Sequence, residues 1–184
     1  MTAYASLPSD LPVPVDDGAC DHLPGMRLPD ISLESTQGGT TRLLDASAGR
    51  CVLYLYPRTG TPGVPLPDGW DLIPGARGCT PQSCGFRDHA QELRGVGASV
   101  IGVSSQSPDE HREFSERVGL PFPLLSDPAL LLAERLRLPT FEVEGMRLYR
   151  RVTLIVEDGV ITKVFYPVFP PDRNAEEVLG WLST

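Results

Sequence analysis

Two cysteines stand five residues apart in Gly78-Cys79-Thr80-Pro81-Gln82-Ser83-Cys84-Gly85-Phe86-Arg87-Asp88, and the thiolate of such a residue is a strong nucleophile near neutral pH. A helix is expected from about Pro81 to Arg94, with Thr80 as its cap and Pro81 opening it. Cys79 then falls where a loop enters a helix. A sulfur at that boundary faces unpaired backbone N–H groups and the positive end of the helix dipole, both of which favour the thiolate. If the whole stretch is helical, the Cα atoms of Cys79 and Cys84 lie about 8.6 Å apart, whereas a disulfide tolerates at most about 6.8 Å. Pairing of the two therefore requires the first turns to unwind. On these residues alone the plainer reading, two buried structural cysteines, stays equally open.

The remaining chemistry-bearing residues are sparse. Cys51 opens an apolar run and reads as a core residue, while Cys20 lies in a Pro-rich, acidic start and is expected to be a bystander, with an exposed, oxidisable thiol there as the alternative. His22, His89 and His111 are dispersed, and no fourth ligand joins a cysteine pair and one histidine, so neither a metal nor a cofactor is expected. Four cysteines in 184 residues are too few for a secreted disulfide scaffold, which points to reactive thiols in a reducing, cytoplasmic setting. A formal net charge of -8 repels nucleic-acid phosphates and anionic lipid headgroups. No apolar run approaches membrane-span length, and the start lacks a signal-peptide pattern.

The elements that must position Cys79 alternate along the chain. Ile31 to Leu33 and Thr41 to Leu44 flank Gln37-Gly38-Gly39 as a hairpin, and Val52 to Tyr56 and Val100 to Val103 read as buried strands. Ser107-Pro108-Asp109-Glu110 has the residues of a capping box ahead of a helix. A short strand at Pro123 to Leu125, a Leu-rich helix near Leu130 to Leu136, and a hairpin from Val152 to Phe165 turning at Asp158-Gly159 follow. Asn174 is expected to cap a final helix that docks Val178, Leu179 and Leu182 on the sheet. Strand, helix, strand, helix ending in an antiparallel hairpin predicts a thioredoxin-like α/β fold with a mixed central sheet, flanking helices and an N-terminal hairpin. The organisation expected is a flexible extension over residues 1–22 and one domain over 23–184.

Tyr56-Pro57-Arg58-Thr59-Gly60-Thr61-Pro62-Gly63 together with Gly78 to Asp88 resembles the peroxiredoxin Q group, also called bacterioferritin comigratory proteins. The likeness runs from about Leu23 to the C-terminus. It implies a peroxidase in which Cys79 attacks the peroxide, Cys84 resolves the sulfenic acid as an intramolecular disulfide, and thioredoxin or a glutaredoxin-like donor reduces it. The family pattern also implies roles for Pro57 as a shield, Thr61 as a hydroxyl donor, and Arg151, ahead of Val152-Thr153-Leu154-Ile155, as the cation beside the sulfur. Arg150 is its rival, one residue out of register. The chain departs from the pattern in one respect, since Val64 stands where the family has its cysteine and Cys79 comes 15 residues later. Val64 to Gly78, carrying Pro65, Pro67, Gly69, Pro74 and Gly75, reads as an inserted surface loop, a lid or partner-facing element, with Trp70 packing it down. Two other classes share the fold: a thiol redox sensor or disulfide oxidoreductase, against which the absence of a Cys-x-x-Cys pair argues, and a non-catalytic binding domain. The oligomeric expectation is a monomer or a homodimer.

Overall fold

The computed structural model describes residues 7–184. A hairpin of β1 (Ser32–Ser35) and β2 (Thr40–Arg42) leads through the single turn α1 (Leu43–Ala46) to β3 (Arg50–Leu55). A long excursion with one 3₁₀ turn, Trp70–Leu72, separates β3 from α2 (Cys79–Asp88) and α3 (Ala90–Gly95). There follow β4 (Ala98–Ser104), α4 (Pro108–Val118), β5 (Leu124–Ser126), α5 (Leu131–Leu136), the hairpin β6 (Thr140–Val143) and β7 (Met146–Tyr149), then β8 (Val152–Glu157), β9 (Val160–Phe165), a 3₁₀ turn at Pro171–Arg173 and α6 (Asn174–Leu182).

Seven strands form one mixed sheet in the order β2-β1-β5-β4-β3-β8-β9, with β3, β4 and β5 parallel, β8 antiparallel to β3, and β9 antiparallel to β8. This is the expected α/β architecture. Along β3 the side chains alternate between two cores: Cys51, Leu53 and Leu55 face α5, while Val52 and Tyr54 face α2, α4 and α6 with Phe86, Phe114 and Val178. Both faces are buried, which is why the central strands read as continuous apolar runs.

Ser107 caps α4 as expected, its hydroxyl accepting from the Glu110 N–H while the Glu110 carboxylate accepts from the Ser107 N–H. Three local expectations are corrected. The helix read over Pro81 to Arg94 is two helices, because His89 (φ −97°, ψ 7°) leaves helical geometry and its ring pairs with Glu92 as α3 begins. Thr80 does not cap α2, which starts a residue earlier at Cys79 behind Gly78. Asn174 does not cap α6; the turn at Pro171–Arg173 delivers the chain into the helix, and the buried Asn174 amide serves another purpose described below. The β6–β7 hairpin went unread in the sequence. Its turn uses Glu144 (φ 47°) followed by Gly145 (φ 75°), the two positive φ values a tight hairpin needs, but with Glu in place of the usual Asn or Asp signal.

The first six residues of the expected extension lie outside the described residues. From Leu7 onward the chain lies against the domain: Pro14 packs beside Gly75, Leu7 beside Gly78, and Asp17 accepts from the Tyr166 hydroxyl at 2.9 Å. Cys20 is accordingly no exposed thiol. It is 4 % exposed within the core, and burial followed by the nearby Asp17, Asp16 and Asp21 pushes it up to about 12.

Candidate active site

Cys79 is the first residue of α2, placed there by a glycine that nothing else can replace. Gly78 has φ 106°, closed to L side chains, and a Cβ on it would collide with Pro171 and lie 2.8 Å from Leu7. The chain thus turns into the helix tightly enough to seat the thiol beneath the preceding turn. Cys79 is 3 % exposed, with its sulfur 3.7 Å from the Ala76 carbonyl.

Arg151, at the entry to β8, reaches the sulfur from the other side, its Nη2 lying 3.2 Å from Cys79 Sγ. The same Nη2 donates to the carbonyls of Gly75, Ala76 and Arg77 at 3.2, 3.1 and 3.3 Å, Nε donates to Gly75, and Nη1 donates to Gln82 Oε1. The guanidinium is 4 % exposed, and among the described residues it forms no ion pair with a carboxylate. A buried cation needs an opposing charge or a full set of acceptors. Here the acceptors are carbonyl dipoles, one amide oxygen and one sulfur, so the sulfur is the one atom among them able to carry the counter-charge. Arg150, by contrast, is exposed.

Behind Arg151 a buried polar chain fixes its angle. Gln82 Nε2 donates to Asn174 Oδ1 at 2.9 Å, and Thr153 Oγ1 donates to the same oxygen at 2.8 Å. Gln82 escaped the sequence reading, although it sits three residues after Cys79 and therefore on the same helix face.

Cys84 lies on α2, half-buried, and burial pushes its thiol up. With both cysteines inside one helix and both free, helical geometry keeps their Cα atoms about 8.6 Å apart, beyond disulfide reach. Pro57 is buried just past the end of β3. Thr59, two residues on, is held by Gln106, whose Oε1 accepts from the Thr59 N–H at 2.8 Å and from its hydroxyl at 3.1 Å. Thr61 is half-buried, its backbone carbonyl accepts from the Val64 N–H at 3.0 Å, and it lines a cleft with Val64, Pro65, Glu144 and Met146. The cleft that contains Cys79 is a neighbouring one, walled by Gly60, Leu66, Trp70, Thr80 and the arginines Arg58 and Arg77.

The segment 64–78 is more than a surface lid. Trp70 is 3 % exposed and packs with Ala76 and Leu148 against Phe141, Val143 and Met146 of the β6–β7 hairpin, its ring 6.0 Å from that of Phe141. This small third core anchors the turn whose carbonyls hold Arg151. The segment therefore also helps position Arg151, a role additional to that of the lid or partner-facing element read from the sequence.

The family profile described as Redoxin matches residues 23–179. The putative peroxiredoxin bcp of Coxiella burnetii is 32% identical over 162 residues, covering 86% of this chain and 97% of that protein. Peroxiredoxin Bcp of Bacillus subtilis is 33% identical over 156 residues, 83% of this chain and 90% of the relative. Among solved structures, the peroxidoxin BcpB of Mycobacterium tuberculosis superposes with a TM-score of 0.71 at 28% identity, covering 88% of this chain and 97% of that one.

Proposed function

The chain belongs to the redoxin family, as an enzyme of the Bcp and peroxiredoxin Q kind on a thioredoxin-like fold, and from that premise we propose that Cys79 is its peroxidatic nucleophile and Arg151 the cation that serves it. The coarse activity, thiol-dependent reduction of peroxides with a thiol reductant, comes with the family. The observation that carries the residue assignment is the 3.2 Å approach of Arg151 Nη2 to Cys79 Sγ at the start of α2. Thiolate attack on a peroxide is a displacement at oxygen, favoured by a held negative sulfur and by donors aimed at the departing oxygen.

In this reading Cys79 becomes a sulfenic acid, α2 unwinds over its first turns, and the Cys84 thiol condenses with it to give water and a disulfide. Thioredoxin or a glutaredoxin-like donor then restores both thiols. Pro57 shields the sulfur from the β3 side, while Thr61, in the adjoining cleft, acts on the approach to the site. Residues 23–184 form the catalytic domain, preceded by the extension 1–22, working as a monomer or homodimer in the cytoplasm without a metal or cofactor. Among the described residues no helix is long and apolar enough to cross a membrane.

The test is hydrogen peroxide consumption with a thioredoxin system. Cys79→Ser is expected to abolish it, because a serine hydroxyl is not ionised near neutral pH; Cys84→Ser is expected to consume one peroxide per chain and then stall. Turnover surviving in Cys79→Ser overturns the assignment, and steady turnover in Cys84→Ser overturns the resolving role.

A further inference from the structure

We propose that the hydroxyl of Thr80, rather than that of Thr61, is the side-chain donor to the peroxide at Cys79; this rests on the peroxidase reading above and names a further catalytic residue for it. Thr80 is 4 % exposed, and its Oγ1 is buried with no hydrogen-bond partner among the described residues. It lines the same cleft as Cys79, whereas Thr61 lines the neighbouring one.

A threonine within a helix can bond back to the carbonyl four or three residues earlier. For Thr80 those are Ala76 and Arg77. Both already accept from Arg151 Nη2, Ala76 O at 3.1 Å and Arg77 O at 3.3 Å, and Thr80 Oγ1 bonds to neither. Thr80 Oγ1 is thus left unpaired beside the carbonyls that fix Arg151. A buried hydroxyl left unpaired destabilises a fold, and a valine would fill the same volume without that cost. Such a group is accounted for when its partner arrives with the reaction.

The chemistry has room for that partner. The Cys79 sulfur attacks the outer oxygen of R–O–O–H, the S–O bond forms as the O–O bond breaks, and the electron pair leaves on the RO oxygen. The proton given up by the thiol ends on that oxygen, so thiol and hydroperoxide become sulfenic acid and alcohol, with sulfur oxidised by two electrons and the peroxide reduced by two. Arg151 Nη2 is already shared among three carbonyls and the sulfur. A second donor is needed where charge develops, and the Thr80 O–H donates there in the transition state and keeps its own proton.

The test compares the rate of Cys79 oxidation by hydrogen peroxide in a single turnover with its alkylation by iodoacetamide, which involves no departing peroxide oxygen. Thr80→Val should slow oxidation by about tenfold to a hundredfold, leave alkylation within about twofold, and melt no lower than the parent, since an unpaired hydroxyl has been removed. Thr80→Ser should recover most of the oxidation rate, and Thr61→Val should lose less than Thr80→Val. The proposal is overturned if Thr80→Val oxidises at the parent rate, if oxidation and alkylation fall together, or if Thr61→Val is the slower variant. Failure of the parent protein itself to oxidise Cys79 overturns the peroxidase reading and this proposal with it; normal parent oxidation with an unaffected Thr80→Val overturns this proposal alone.

Discussion

Arg151 shows at the scale of one residue how a site is built from neutral groups around a charge. Its planar fork matches several acceptors at once, the Gly75, Ala76 and Arg77 carbonyls, Gln82 Oε1 and the Cys79 sulfur, in a way a lysine ammonium cannot. Replacement by Lys keeps the charge and loses the fork. Arg151→Lys is therefore expected to slow both peroxide oxidation and iodoacetamide alkylation of Cys79, the former by about a hundredfold, because the sulfur loses its aligned donor before any peroxide arrives. This joint loss separates Arg151 from Thr80, whose removal spares alkylation. Gln82→Leu should act in the same direction with a smaller loss, about tenfold, since it withdraws one acceptor and leaves the carbonyls in place. If single-turnover rates in Gln82→Leu match the parent, the carbonyl cup alone positions the guanidinium. The choice of Arg151 over Arg150 was legible through the family resemblance. Gln82 was legible in principle from helical spacing, but nothing in its type says that its amide faces a cation.

At the scale of elements, the site depends on packing between two segments that the sequence shows poorly. Segment 64–78 has the Pro and Gly content of an irregular loop, and so it reads as surface; the hairpin that covers it has an atypical turn at Glu144-Gly145 and went unread. Only together do they bury Trp70 with Ala76 and Leu148. The parallel strands, the α4 capping box and the β8–β9 hairpin were legible because each is specified by its own residues within a few positions. The diversion of the Asn174 amide to Gln82 and Thr153 was not, because it is decided by partners distant in sequence; the break of α2 at His89 was not, because a continuous helical pattern does not mark a single residue leaving helical angles. Trp70→Ala is expected to cost about 3 kcal/mol within this small core. Because that core is a satellite of the sheet, the loss should appear as local opening. Hydrogen exchange should accelerate in 64–78 and 140–149, peroxide oxidation of Cys79 should slow as the cup around Arg151 loosens, and β3, β4 and β8 should stay protected. Uniform acceleration across the sheet would show instead that Trp70 belongs to the global core.

The molecule as a whole gathers the carboxyl ends of its three parallel strands beneath the site, which is where an open α/β sheet offers a crevice. There His111 is fully buried and holds them together: its Nε2 contacts Ser104 Oγ at 2.7 Å and Tyr56 Oη at 3.1 Å, and its Nδ1 contacts Ser126 Oγ at 2.8 Å. Tyr56 follows β3, Ser104 ends β4 and Ser126 ends β5, so one imidazole from α4 ties all three strands. Burial pulls His111 down from its ordinary 6.5 to about 4, against a smaller upward pull from the Glu110 carboxylate. The unfolded chain binds a proton on this ring below about pH 6.5 while the folded chain refuses it until about pH 4, so folding stability is complete above the upper value and falls with pH between the two. At about 1.4 kcal/mol per unit, the loss is on the order of 3 kcal/mol by the lower end of that window. Urea unfolding followed from pH 7.5 down to about pH 4.5 should show this slope, and it should flatten in His111→Asn, whose amide can still meet hydroxyl partners but does not titrate. Carboxylates held below their ordinary values, such as Asp17 bonded to Tyr166, contribute only at more acid pH, beneath most of the His111 window. An unchanged slope in a folded His111→Asn variant would assign the acid sensitivity to other groups, and would mean that the tie across the three strand ends holds with the ring protonated.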